Sequence, residues 1–451
     1  MNVNDNYQAS TIKSNSSQNK IQLLLLGCLL LVIVLIEPLY RDPLYNLTEE
    51  YVVSTQTTDK FNTTTYQLIS KLDKIGSGDA YFYYLILGFL LLRRARSFYY
   101  ILACVFATSL QDLCKSLYKH PRPFMTNDQI INISCSYTFG NISGHTSQFT
   151  ALSFILLMDY WQHRRDQYLL GKTTQAPSKC LFISIIMLVV VPMQCLMGYQ
   201  RIYDGTHSIN QVLLGWQLGV WQALFFHFHL REWLISHLQA ILDANSFHEI
   251  SNPKHKIFWS SLIYIAAMIF HTLVFLNVDQ DKDVLTEWVQ NITSKCEDDI
   301  HEQESFQYPS FERSGYVILL YSSYVSKILL EKYMRKRFEY DFKQIENLEN
   351  GIKNILVKSL IGFVLLMPYL IYDSTLKDLR DNFNLNYVIK VLMPSFIGGM
   401  IFFGGVFDAL LHNLLKIFEK KNKMQKLSLF SKTSSQERLI QNDKSKGSNL
   451  N

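Results

Sequence analysis

Apolar residues in this chain are bunched into long runs rather than spread along helix faces. The runs fall at 21–36, 80–92, 98–113, 150–161 (extended at its amino end by 146–149), 180–197, 209–228, 257–278, 315–330, 355–372 and 391–411. A helix crosses a bilayer with about twenty apolar residues, so the pattern predicts an all-α, polytopic membrane protein of roughly ten spans. The run 80–92 is short and reaches bilayer thickness when Arg93, Arg94 and Arg96 snorkel. The run 21–36 is followed by Glu37-Pro38-Leu39-Tyr40 and not by a small-x-small cleavage site, so it reads as an uncleaved span.

The polar stretches set the expected organisation. Residues 1–20, rich in Asn, Ser and Gln, read as a disordered tail. Residues 21–228 form the first membrane unit, 229–256 a cytosolic loop, 257–412 a second group of four spans, and 413–451 a basic, serine-rich tail suited to anionic lipid. With residues 1–20 in the cytosol, the loops on that side carry Arg93/Arg94/Arg96, Arg164/Arg165/Lys172/Lys179, Lys254/Lys256 and Lys332/Arg335/Lys336/Arg337. The opposite loops carry glycosylation sequons at Asn46, Asn62, Asn132, Asn141 and Asn291, and the acidic stretch 297–304. The positive-inside rule and the sequons agree on one topology, with both termini cytosolic. Lys358 and Lys390 read as snorkelling side chains, whereas Lys327 lies deeper in its run.

Composition sharpens this picture. Only 18% of the 451 residues are charged and 48% are hydrophobic, against about a quarter charged in soluble proteins. The net charge of +5 is small for the length and makes no case for nucleic acid. Seven cysteines without C-x-x-C spacing support neither a zinc site nor a redox motif. Cys135 and Cys296 both fall in expected lumenal loops, where a disulfide is permitted; two unpaired thiols are the default reading.

Three polar clusters stand out. Lys115-S-L-Y-K-H-P-Arg122-Pro123 follows the third run, Ser143-Gly144-His145 opens the fourth, and Arg201-x5-His207 joins the fifth to the sixth. Each alone also reads as a positive flank or a helix cap. The topology places all three at lumenal helix ends, and together they meet the needs of phosphoryl transfer, in which charge on three equatorial oxygens is met by positioned cations and N–H donors. Lys115, Arg122 and Arg201 supply cations, while Ser143 and the backbone N–H groups of Gly144 and His145 form an anion site at a helix start. Two imidazoles divide the chemistry, one attacking phosphorus and the other protonating the leaving oxygen. Gln211, one turn beyond His207, is placed to hold its ring. No metal-binding carboxylate pair is needed or seen, and no cofactor is implied.

In that order the clusters resemble the signature of the type 2 phosphatidic acid phosphatase superfamily: Lys-x6-Arg-Pro, Pro-Ser-Gly-His and Ser-Arg-x5-His-x3-Asp. The resemblance covers about residues 80–228. It implies a six-helix core, here with about four further spans, and a lumenal active site. It implies that His207 is a nucleophile forming a phosphohistidine and His145 the acid and then the base. It also implies that Lys115, Arg122, Ser143, Gly144 and Arg201 bind phosphate. The extra spans and the wording R-I-Y-D-G-T-H-S are similar to sphingosine-phosphate phosphatases. Three positions depart from the pattern: Ile142 for Pro, Gln200 for Ser, and Gln211 for the Asp that orients the nucleophile. Glucose-6-phosphatase and dolichyl-pyrophosphate phosphatase branches resemble this chain in carrying Gln there.

The expected protein is therefore a metal-independent phosphatase of the endoplasmic reticulum membrane, acting on a lipid phosphate among membrane lipids. A lumenal sugar phosphate or polyprenyl diphosphate is the enzymatic rival, and a non-catalytic subunit of the same fold the other. Nothing in the sequence specifies an oligomeric state. Because an Asp carboxylate stabilises an imidazolium better than an amide does, Gln211→Asp is expected to keep or raise activity.

Overall fold

The structure, a computed structural model, describes residues 16–58, 71, 78–131, 135–296, 306–346, 348, 351–375, 385, 387–418, 420 and 424. Helix is the only regular structure among them, as the apolar runs predict. In chain order the principal helices are α1 (Ser16–Thr58), α2 (Gly78–Leu91), α3 (Arg94–Tyr118), α4 (Gly144–Leu169), α5 (Lys179–Tyr203), α6 (Ile209–Phe225) and α7 (Arg231–Asp243). There follow α8 (Pro253–Leu276), α9 (Thr286–Lys295), α10 (Tyr308–Ser314), α11 (Val317–Ile328), α12 (Leu330–Phe338), α13 (Ile352–Thr375), α14 (Tyr387–Phe403) and α15 (Val406–Phe418).

Among the described residues, four helices are long and apolar enough to cross a membrane, within Lys20–Gln56, Arg94–Thr126, Lys179–Tyr203 and Pro253–Leu276. The pair α14 and α15, bent by 44°, makes a fifth if it is one span. This is fewer than the roughly ten expected at about twenty apolar residues per span. The physical reason lies in length and polarity. At 14 residues α2 reaches only about 21 Å, and α11 has 12 residues. Across its 26 residues α4 carries Asp159, Arg164, Arg165 and Asp166.

Two stretches expected as loops are helical. The first helix does not stop at the end of its apolar run but continues through Pro38 and Pro43 to Thr58, 43 residues in all, or about 65 Å. Its far end is tied down by polar side chains. Thr48 Oγ1 accepts from the Ile209 N–H at 2.9 Å, and the Gln56 amide pairs with both backbone groups of Ile131 and with the Tyr203 carbonyl. Within the expected loop 229–256, α7 continues α6 through a π-helical turn at Phe226–Leu230. Buried Asp159 of α4 anchors that turn, meeting His227 Nδ1 and Arg231 Nε at 2.9 Å and the Tyr100 hydroxyl at 2.7 Å.

Small residues let α6 lie against α4. A Cβ on Gly215 would come within 2.9 Å of the Ser143 carbonyl oxygen, and one on Gly219 within 2.6 Å of that of Ser147. Glycines four apart on one face permit this backbone approach, and it brings the starts of the two helices together.

The second half of the chain is joined to the first at both ends. At one end Cys135 and Cys296 are disulfide-bonded, not the two free thiols taken as the default. At the other, Arg94 of α3 donates to Asp408 of α15 at 2.7 Å, both buried. Lys327, unexplained by sequence, belongs to this cluster: its ammonium is 3.9 Å from Asp408 and 4.6 Å above the Phe342 ring. Lys358 is buried as well, and does not snorkel.

The sequons need one correction. Asn46 is exposed, but Asn141 is fully buried and donates to Glu37 Oε1 at 2.9 Å, so no glycan reaches it. The Asn291 amide is half-buried and donates to the Met125 carbonyl at 2.7 Å. Asn62, Asn132, residues 1–15 and most of the basic tail lie outside the described residues.

Removing one partner of a buried ion pair strands the other at about 3–5 kcal/mol. Asp408→Ala is therefore expected to lower the Tm of the detergent-solubilised protein steeply, while Asp408→Leu combined with Arg94→Met and Lys327→Met recovers most of it. Equal Tm values for Asp408→Ala and the parent would contradict the pairing.

Candidate active site

The site forms where the ends of α3 and α5 meet the starts of α4 and α6. Lys115 occupies the last turn of α3, which stops at Lys119 in a left-handed conformation. Arg122 follows in an extended conformation, as the residue before Pro123 favours. Its guanidinium lies 2% exposed and bridges two loops. Nε donates to the Thr138 carbonyl at 2.7 Å, Nη2 to Thr138 Oγ1 at 2.9 Å, and Nη1 to the Thr206 carbonyl at 3.1 Å. Lys115 Nζ donates to the same Thr138 hydroxyl at 3.2 Å. Both buried cations thus hydrogen-bond only neutral atoms among the described residues.

Ser143 stands at the N-cap of α4 yet its hydroxyl does not cap the helix. It is fully buried and makes no hydrogen bond among the described residues. This departs from the ordinary helix-cap reading and leaves a donor beside the Gly144 and His145 N–H groups. Gly144 leaves room here for the Gln111 side chain, which a Cβ would meet at 2.2 Å and force to shift. His145 is half-buried, in the field of Arg201, Lys115 and Arg122.

Arg201, 3% exposed, ends α5, and its carbonyl receives the His207 N–H at 3.1 Å and the Thr206 hydroxyl at 3.0 Å. The chain reverses between them at Gly205, whose φ of +69° suits glycine. His207 then lies 2% exposed with Nδ1 3.0 Å from Gln211 Oε1 and Nε2 3.1 Å from Arg122 Nη1. Gln211 Nε2 donates to the Pro121 carbonyl at 2.7 Å, which fixes the amide's orientation. Gln211 Oε1 is therefore the acceptor, Nδ1 of His207 carries the proton, and the lone pair sits on Nε2. Burial, then the guanidinium groups of Arg122 and Arg201, hold the His207 pKa well below the usual histidine value, so the ring is neutral.

The same Gln211 also serves its own helix, since its Oε1 accepts from Ser208 N–H and Ser208 returns the bond in a capping box. The Gln200 amide donates to Asp204. The structure thus joins Arg122 to His207, Lys115 to Arg122 through Thr138, and His207 to Gln211, and it sets Ser143 beside Gln211, whose carbonyl receives the Ser143 N–H at 3.1 Å. The charge of Arg201 acts on both His145 and His207, and burial with that charge pushes the His145 pKa well down. Sequence reasoning missed Thr138, Thr206, Gln111, Asp112 and Glu37, none of which lies in a recognisable spacing. Among the described residues no three of His, Cys, Asp and Glu gather as metal ligands.

This environment reverses the expectation for Gln211→Asp. Asp is one methylene shorter, places a carboxylate toward the Pro121 carbonyl, and opens space against Gly140, whose Cβ position lies 2.5 Å from Gln211. Gln211→Asp is expected to lower kcat by about tenfold or more; unchanged or higher turnover would show that Pro121 does not dictate this side chain.

No curated protein and no solved structure matches the chain. Residues 77–234, which run from the start of α2 into α7 and include Lys115, Arg122, His145, Arg201 and His207, match the family model of the PAP2 superfamily.

Proposed function

We propose that the protein is a membrane-embedded phosphatase that hydrolyses lipid phosphate monoesters through a phosphohistidine on His207, without a metal. The observation that carries this reading is the pair of buried cations, Lys115 and Arg122, whose bonding partners are all neutral. Two buried like charges are costly together unless an anion joins them. A phosphate dianion supplies that charge, and the Ser143 hydroxyl gives it a donor.

In the proposed reaction, the phosphate displaces Arg122 Nη1 from His207 Nε2 and takes the guanidinium onto an equatorial oxygen. Burial and the charges of Arg201, Lys115 and Arg122 disfavour a proton on His145, and the incoming phosphate offsets those charges so that His145 binds one. The Nε2 lone pair attacks phosphorus as the P–O bond to the alcohol breaks, and His145 gives that proton to the leaving oxygen. Gln211 Oε1 holds Nδ1–H throughout. His145, now neutral, takes a proton from water, whose oxygen attacks phosphorus, releases Nε2 and yields inorganic phosphate. An amide cannot offset the positive charge on His207 as a carboxylate does, so the phosphohistidine depends more heavily on the surrounding phosphate contacts.

The surroundings favour a substrate with apolar chains. Leu24, Leu25, Leu39, Leu47, Leu117, Leu188 and Ile263 are large, exposed and carried on the candidate spans, and Leu117 lies two residues from Lys115. A headgroup held at helix ends leaves its chains in lipid. The Cys135–Cys296 bond supports a site facing an oxidising lumen, with the termini cytosolic and the endoplasmic reticulum as the membrane.

Purified protein in mixed micelles is expected to release phosphate from long-chain base phosphates or phosphatidic acid faster than from glucose 6-phosphate or polyprenyl diphosphate. His207→Ala is expected to reduce release at least a thousandfold, by about 4 kcal/mol of barrier. Turnover of the sugar ester alone would overturn the lipid assignment. Equal turnover by His207→Ala and the parent would overturn the nucleophile, and no turnover of any ester by the parent would leave a non-catalytic fold.

A further inference from the structure

The residues matched by the family model end at 234, yet the segment 306–313 reaches back to the site. Gln307, in a left-handed conformation, uses three groups at once: its N–H donates to the Tyr137 carbonyl at 2.7 Å, its Oε1 accepts from the Phe139 N–H at 3.0 Å, and its Nε2 donates to Ser116 Oγ at 2.9 Å. It therefore grips both walls that hold Lys115, the loop bearing Thr138 and the end of α3. Phe306 packs edge-on against Phe139 at 4.9 Å, and the Cys135–Cys296 bond closes the same loop.

Six residues further on, Arg313 of α10 takes both oxygens of Asp112, with Nη2 3.0 Å from Oδ1 and Nε 3.4 Å from Oδ2, while Nη2 also donates to Ser310 Oγ at 3.1 Å. Asp112 lies one helical turn before Lys115 on α3, and both are 3% exposed. A carboxylate at that spacing is an ordinary ion-pair partner for the lysine. Here it is engaged by Arg313 instead, and the ammonium turns to Thr138. The charge of Arg313 also acts on Lys115, Arg122 and His145.

We propose that the C-terminal part of the chain completes the phosphate pocket, with Arg313 as a positioning residue that occupies Asp112 and so keeps Lys115 available to the substrate phosphate. The inference rests on the phosphate pocket of that reading, not on its hydrolytic step, and adds a residue from outside the matched stretch to it. Without Arg313, the Asp112 carboxylate captures Lys115 and repels the incoming dianion. With Asp112 also neutralised, no anion competes.

The test is direct binding of inorganic phosphate to the purified full chain, measured by calorimetry alongside KM, kcat and Tm. Arg313→Ala is expected to weaken phosphate binding and raise KM by about tenfold or more. Adding Asp112→Asn to that variant is expected to restore binding to within about threefold. Arg313→Lys, which keeps the charge but loses the two-pronged grip, should fall between, and it carries the comparison if Arg313→Ala does not purify. A lowered Tm with unchanged phosphate affinity in Arg313→Ala, or a double variant as weak as the single, would overturn the proposal. A parent that binds phosphate without hydrolysing any ester would overturn the phosphatase reading while leaving this one standing; a parent that binds no phosphate would end both.

Discussion

Positive charge buried among neutral partners is the constraint from which the rest of this molecule follows. Lys115 and Arg122 are withdrawn from water, and what meets them is a threonine hydroxyl, backbone carbonyls and an imidazole. Such an arrangement is under electrostatic tension when empty, and an anion relieves it. That tension is tolerable because the carbonyls of Thr138 and Thr206 hold the guanidinium in place. The rigid loops that present those carbonyls are secured in turn from both sides, by α1 through Gln56 and Thr48 and by the segment around Gln307.

The route from sequence to site runs through helix ends. Glycines 215 and 219 let α6 approach α4, which sets His207 and Gln211 against the start of the helix that carries Ser143 and His145. In the proposed reaction this matters more than any single bond, because a nucleophile and an acid on opposite sides of phosphorus must share one frame. Gln211 compresses three tasks into one amide: it caps its helix, orients His207 and bonds the Pro121 carbonyl. That economy accounts for why a glutamine, and not a shorter carboxylate, fits this pocket.

Much of this was legible in the chain and some was not. The helical class and the three polar clusters followed from hydrophobic runs and from charged residues at their ends, since both are local signals. Among the described residues fewer helices are long and apolar enough to span than the apolar runs predict, because a run says nothing of whether it faces lipid or a neighbouring helix; α11, for instance, buries Ser322, Ser323 and Lys327 inside the protein. The polar continuation of α1 was hidden because its helix is stabilised by contacts to Ile209, Ile131 and Tyr203, all distant in sequence. Asn141 passed for a glycosylation site because a three-residue sequon carries no information on burial. The hydrogen bonds Lys115–Thr138, Phe139–Gln307 and Asp112–Arg313 span 23, 168 and 201 residues, beyond the reach of any spacing rule.

The central claim is that His207 Nε2 becomes bonded to phosphorus, and rapid-quench labelling tests it most directly. With a phosphorus-labelled lipid phosphate, the account predicts an acid-labile phosphoenzyme whose label maps to the peptide containing His207. The label should persist longer in His145→Ala, where the base for hydrolysis is missing. Label on any other residue, or phosphate release with no labelled protein at any quench time in either form, would contradict it.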